Sequence, residues 1–426
     1  MTLLVERFGV SEANKELEQL RVGKPDDPCV LEAAVDLLLE HGRGRSDAQL
    51  ALALHAPAAD RFPHHLGLRF SLAAAYRAIG DAAGAESVLQ DIVRRHPGNP
   101  AAKVQLAWAK LHGGDQDAAC RLVESAVASA PRNPEVLTAQ AAILQHCRGV
   151  DEARAAISQG LARVPKSVLW RTRAVGLLMH YGAVEEALAA AQHGVAIEPR
   201  NATLWLLLAR TMGQLRRQFT VREVESCLRT SLRYDAGLFA SSDLLAHCLA
   251  DREHYEDAVR VLEAIEPRMP DPSPARGRQA WVGRRRTQGA EGLDVMAAIV
   301  AAAPWYEWGW SMLADWLEED QDWQRARVLF DRVPDQLAHS LRFRMRRLQI
   351  LGKAGVDLVR VNAEWNALLS DYPDDEALRA ARSSWLRDVQ PAHAVREVPA
   401  APSVPPWVWG VLAMILFNLL RTCQGL

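Results

Sequence analysis

Residues 66–99 read LGLRFSLAAAYRAIGDAAGAESVLQDIVRRHPGN, and residues 100–133 read PAAKVQLAWAKLHGGDQDAACRLVESAVASAPRN. Laid one over the other they align without a gap: Leu72 with Leu106, Ala73 with Ala107, Gly80 with Gly114, Ala85 with Ala119, Leu89 with Val123, Ile92 with Ala126 and Pro97 with Pro131. Self-similarity at a fixed period of this length marks a repeat architecture, in which one supersecondary unit is stacked on its copies. Outward from this pair, Pro63, Pro97, Pro131, Pro165 and Pro199 recur at intervals of 34, and after one longer unit Pro270 and Pro304 resume the step.

Each recurring residue type has a mechanical reason. Small side chains at Ala73, Ala107 and Ala314 on the first helix of a unit, and at Ala85, Ala119, Ala187, Ala258 and Ala326 on the second, let two helices approach closely. The terminal proline cannot continue a helix and biases the residue before it away from helical geometry, so it closes the unit and turns the chain. A later unit reads Trp310, Leu313, Ala314, Leu317, Ala326, Phe330. Together these positions resemble the tetratricopeptide signature, W-x2-L-G-x2-Y, then Ala, then a large apolar residue, then Pro.

The resemblance implies an all-α fold, a right-handed α-solenoid of about ten tetratricopeptide-like helix-turn-helix repeats. The units open near residues 32, 66, 100, 134, 168, 202, 239, 273, 307 and 342. No unit buries its apolar stripe alone; stacking gives a continuous core and a concave face lined by the first helices, the expected binding surface for a protein or peptide. Two units depart from the pattern. The one over Ala202 to Leu238 carries about three extra residues around Gln214 to Val221, which should enlarge its inter-helix turn. The one from Glu307 has Pro334 early and Ala338 where proline is expected, so its second helix should be short.

The resulting plan has a capping segment at 1–31 (Ser11 to Arg21 being its helical part), a solenoid at 32–375 and a capping helix at 376–389 with Leu378, Ala381, Trp385 and Leu386 on its apolar face. A Pro/Ala-rich linker follows at 390–405, then an apolar segment at 406–422 with no charge before Arg421. Trp407 and Trp409 suit a membrane interface, and Leu412, Ile415, Leu416 and Phe417 a hydrocarbon core, so a C-terminal hydrophobic helix acting as a tail anchor is expected. Its length is short for a core of about 30 Å and Asn418 adds a cost, so docking of the helix into a groove on protein is the competing reading.

Charge is nearly balanced, with 50 Lys and Arg against 52 Asp and Glu, a formal net of -2. That excludes a global basic field, and the basic residues do not recur at one position per unit, so no nucleic acid is expected as a partner. The predominance of Arg over Lys and the abundance of Ala point to a GC-rich bacterial genome. Six scattered cysteines make no disulfide or zinc framework, and Glu6 and Arg7 stand where a secretory signal needs apolar residues. Cytoplasmic repeats held at the bacterial inner membrane by the C-terminal helix is the localisation these features suggest.

Candidate contact residues lie on first helices. His112, His146 and His180 sit 34 apart and must form a row. Equivalent sites on helices packed 8–10 Å apart are too distant to share one ion at ~2 Å, so no metal is expected; a cation at a helix C-terminus is the simplest role, and a polar contact row for a bound peptide is the other. The unit from Ser273 interleaves Arg278, Arg284 and Arg285 with Trp281, next to Asp243 and His247 on the first helix of the preceding unit. Such a patch suits an acidic or phosphate-bearing ligand, whereas Asp315, Glu318 and Glu319 in the following unit suggest instead a ladder of ion pairs between repeats. Trp305, Trp308 and Trp310 are expected in an inter-repeat core.

Tetratricopeptide modules that grip chaperone C-termini use Lys, Asn and Arg on successive first helices. Here the corresponding positions hold Phe70 and Ser71, Val104 and Gln105, and Thr172 and Arg173, so that clamp is absent. The sequence contains no Walker, nucleophile-elbow, HExxH or dinucleotide motif. A non-catalytic scaffold or adaptor without cofactor is therefore expected. The alternative is a regulatory or structural subunit of a larger complex, its tail docked to a partner and its repeats controlling a separately encoded enzyme or effector.

Overall fold

The computed structural model describes residues 27–393 except 42–47, 55–60, 63, 216–217, 290, 339 and 373–374, together with Lys15 and Gln19. The segment Ser11 to Arg21 lies almost wholly outside them, and Trp407, Trp409, Leu412, Ile415, Leu416 and Phe417 wholly so. Among the described residues no helix is long and apolar enough to cross a membrane.

Helix starts are written into the repeat. Asn99, Asn133, Ser167 and Asn201, each 34 residues from the next, accept side-chain hydrogen bonds from the backbone N–H of Ala102 (3.1 Å), Glu135 (2.9 Å), Trp170 (3.2 Å) and Thr203 (3.1 Å). Each such cap satisfies an orphan donor and contributes about 1 kcal/mol. Pro100 and Pro134 occupy the first helical position, where a missing N–H costs nothing. Second helices begin in the same way at Asp81 and Asp115.

The helices are α1 (Pro28–His41), then the pairs α2 (Leu66–Ala78) with α3 (Ala82–Arg95), α4 (Pro100–His112) with α5 (Gln116–Ser129), and α6 (Pro134–Arg148) with α7 (Val150–Arg163). There follow α8 (Val168–His180) with α9 (Val184–Ile197), α10 (Ala202–Gln214) with α11 (Val221–Tyr234), and α12 (Phe239–Asp251) with α13 (Tyr255–Ile265). The last pairs are α14 (Ser273–Arg286) with α15 (Leu293–Ala302), α16 (Glu307–Glu319) with α17 (Trp323–Phe330), and α18 (Leu341–Lys353) with α19 (Leu358–Asp371), closed by α20 (Glu376–His393). This is an all-α solenoid of tetratricopeptide-type pairs. Two boundaries differ from expectation. The first helix opens at Pro28, a favoured first-turn residue, and not near 32; the last runs to His393, into residues assigned to the linker.

Pro97, Pro131, Pro165, Pro199 and Pro304 all stand one or two residues beyond a second helix, at joints between pairs. The small residues are where close approach occurs: Ala85, Ala107, Ala119, Ala187, Ala258, Ala314 and Ala326 have no exposed surface. Two apolar clusters meet near α14, one running from Ala126 to Val282 and one from Ala280 to Trp385. Leu378 and Trp385 of α20 are buried at the end of the second, with the Trp385 ring 6.0 Å from that of Trp365. Trp310 is a core residue edge-on to Phe330 (5.4 Å) and Phe343 (5.8 Å).

The two irregular units behave as their sequences imply. Residues 215–220 separate α10 from α11, and the turn is fixed by a reciprocal cap between Thr220 and Glu223. Helix α17 ends at Phe330. Its orphaned terminal carbonyls are taken by a buried guanidinium: Arg347 donates to the Phe330 carbonyl (2.8 Å) and the Asp331 carbonyl (2.5 Å) and pairs with Glu364 (2.6 Å).

Candidate functional site

Helix α12 shows how a first helix divides its faces. Ser241, Ser242, Leu245, Ala246, Leu249 and Ala250 are buried, one stripe of a 3.6-residue period. The complementary stripe, Ala240, Asp243, Leu244, His247, Cys248 and Asp251, is left half-buried or exposed. It forms one wall of a cavity of about 670 Å³. Met179 of α8, Leu206, Arg210 and Met212 of α10, and Phe219 of the six-residue turn form other parts of it. The extra residues of the long unit thus supply an aromatic edge to the cavity, beside two adaptable methionine side chains.

The acidic wall is already neutralised. Arg278 of α14 makes a two-pronged pair with Asp243, one contact at 3.1 Å, and Arg285 donates to Asp251 at 2.6 Å. Arg252 is held by Glu225 (2.6 Å). Trp281 stands among these groups: the His247 ring stacks on it at 5.1 Å and 20°, and the Arg278 and Arg285 guanidinium carbons lie 5.1 and 5.0 Å from its centroid. Arg278 also covers Trp308 at 4.5 Å. His247 lies 3.5 Å from Asp251. Two cations balance two anions here, so the acids of this wall carry no net charge between them and their partners.

Arg284 does not belong to that wall. At 100° per residue Arg278, Trp281 and Arg285 share a face that Arg284 leaves. It is 6% exposed, pairs with Asp320 (2.7 Å) and Glu319 (3.4 Å), donates to the Gly289 carbonyl (3.0 Å) and lies over Trp316. The acidic partners named from sequence are likewise redistributed. Glu319 meets Arg284, but Asp315 and Glu318 face forward to Arg346 and Lys353 of α18. Although burial works against it, Lys353 and Arg346 hold the Glu318 carboxyl below its usual range. Ion pairs therefore run from α12 to α18 as a continuous ladder.

Equivalent positions in the amino-terminal half carry Phe70, Val104, Trp108, Thr138, Thr172 and Leu177, all half-buried. At these positions the amino-terminal first helices carry uncharged side chains, whereas Asp243 and Asp251 of α12 are paired with Arg278 and Arg285 of α14. His112, His146 and His180 occupy last turns of α4, α6 and α8 and are exposed. His112 Nδ1 lies 2.7 Å from the Trp108 carbonyl, and the Trp108 ring sits between His112 (6.1 Å) and His146 (6.4 Å). Among the described residues no three His, Cys, Asp or Glu side chains converge as a metal set. Cys147 packs with Cys120 between α5 and α6; burial, then the neighbouring thiol, pushes it up to about 11.

The cavity itself was missed from sequence. Its signal was the insertion at 214–221, legible as extra length, but the side chains it gathers come from three units.

Residues 77–143 match the family model for the tetratricopeptide repeat. No curated protein matches the chain. Among solved structures, a tetratricopeptide repeat protein from Parabacteroides merdae is 14% identical, with 63% of this chain and 98% of that one covered at a TM-score of 0.40. Yeast Tom70 is 12% identical, with 86% and 90% covered at a TM-score of 0.46. Pseudomonas aeruginosa PilF is 14% identical, with 48% and 92% covered at a TM-score of 0.34.

Proposed function

We propose that this tetratricopeptide-repeat chain is a non-catalytic adaptor that seats an apolar segment of a protein partner in the cavity between α8, α10 and α12, and that its C-terminal segment tethers it to a membrane. The cavity carries the reading: about 670 Å³ bordered by Met179, Leu206, Met212, Phe219 and Leu244, on the face that the first helices leave uncovered. Preformed concave sites of this size, mostly apolar with a few polar groups, are where ligands bind. Helix-in-groove or extended-peptide recognition of a short apolar motif fits its shape.

Ala240 is exposed at the cavity wall, so Ala240→Trp fills the space without disturbing the buried stripe of α12. Affinity capture from native cells with wild type and this variant, followed by mass spectrometry, tests the site. Partners retained by wild type and lost by Ala240→Trp support it; an unchanged partner set refutes it. Tethering is tested by fractionation, with the full chain expected in the membrane pellet and a truncation after Ala400 in the supernatant. Both in the supernatant would remove the membrane from the reading.

A further inference from the structure

We propose that, away from a bilayer, the chain's own apolar segment 407–420 docks one face into the α8–α10–α12 cavity in cis and competes with partners for it. This rests on the cavity being the partner site and adds a regulator to it.

The segment reads WVWGVLAMILFNLL, with the next charge at Arg421. As a helix of 14 residues it extends roughly 21 Å, a length that can lie alongside the 13-residue first helices α10 and α12. Left in water, a surface of this kind associates with whatever apolar surface is nearest. The cavity provides such a surface. Its acidic residues are already paired with Arg278 and Arg285, so an uncharged occupant strands no carboxylate. Arg210, exposed, can remain in water at the edge. Methionine side chains at Met179 and Met212 adapt to an irregular occupant.

The connection is long enough. Residues 394–406 include Pro399, Pro402, Pro405 and Pro406, and 13 residues of Pro-rich chain at about 3.1 Å each reach roughly 40 Å. From α20 the first helices α18, α16, α14 and α12 are four steps of about 8–10 Å, so the linker brings the segment to the α12 wall, and the segment's own length carries it on over α10.

Cys248 lines the cavity and reports its occupancy. The full chain and its Leu412→Asp/Ile415→Asp variant are treated with a maleimide in the absence of lipid, and modification of each cysteine is followed by peptide mass mapping. Cys248 is expected to react about tenfold more slowly in the wild type than in the variant at every protein concentration, as a ten-to-one docking equilibrium requires. Cys147, remote from the cavity, should react alike in both and controls for folding. Equal Cys248 rates overturn the proposal. So does protection that disappears on dilution, which would place the segment of a second copy in the cavity. If Ala240→Trp abolishes partner capture while Cys248 reacts equally in both chains, the partner site stands and the tail proposal alone falls.

Discussion

Trp205 donates its indole N–H to the carbonyl of Pro199, six residues back, at 2.8 Å. Trp310 repeats the bond to Pro304 at 3.1 Å, and Arg171 makes its equivalent to Pro165 at 2.6 Å. The fourth residue of a first helix thus reaches back to the joint and caps the carbonyl that the proline leaves turned away from helix geometry. The tryptophan and the proline of the repeat therefore act together, since the ring fills the inter-repeat core while its N–H fixes the turn.

Trp310→Phe keeps most of the packing against Phe330 and Phe343 and removes only the donor and the outer ring. An unmet carbonyl costs about 1–3 kcal/mol, with some cavity cost added. The urea midpoint should fall, and hydrogen exchange should rise first in α16 and α17. An unaltered midpoint would show that the bond to Pro304 contributes nothing.

Two glycines of neighbouring helices should respond to alanine in opposite directions. A Cβ on Gly160 would meet the Trp170 ring at 2.7 Å, and Trp170 is fully buried with little room to yield. Overpacking of this sort costs about 1–3 kcal/mol, so Gly160→Ala should lower Tm. Gly176 has nothing within 4 Å of its would-be Cβ and lies within α8. There alanine gains up to about 1 kcal/mol of helix propensity, and Tm should rise. Equal shifts in both would contradict the packing derived for α7 against α8.

Much of this was legible in the chain because the repeat is a local code. Proline at the joint, alanine at the crossing and a cap at each start act within one unit, so the period alone places Ala85, Ala119 and Pro131 correctly. The side chains that decide the site act between units. Arg278 and Arg284 look interchangeable in sequence, yet one faces the cavity wall and the other is buried under Asp320. Which acid meets which base depends on the angle between stacked helices, and a one-dimensional pattern does not carry it.

The turn inside a unit needs a left-handed residue, and glycine supplies it at Gly80 (φ 86°), Gly114 (φ 84°) and Gly182 (φ 74°). Gln321 takes the same turn with φ 55°. Its Cβ makes that conformation cost about 1–2 kcal/mol, part of which glycine returns through its greater entropy in the unfolded chain. Gln321→Gly should therefore raise Tm slightly, and a clear fall would mean that the Gln321 side chain makes stabilising contacts outweighing the strain.

Asp91 on α3 gathers Arg94 and Arg95 of its own helix and Arg69 of α2. Hydrogen bonds from Arg94, then from Arg95 and Arg69, outweigh desolvation and lower its pKa from 3.8 to about 2. The folded state holds the charged form more tightly than the unfolded chain does, so its contribution is complete above the unfolded value and is lost as pH falls from about 4 towards about 2. Local exchange in α2 and α3 should accelerate through that window, and Asp91→Asn should flatten that part of the profile by removing the titrating group. The pair is partly solvent-exposed, so added salt should diminish the effect. A variant with the same acid profile as wild type would assign the acid sensitivity of α2 and α3 to other carboxylates.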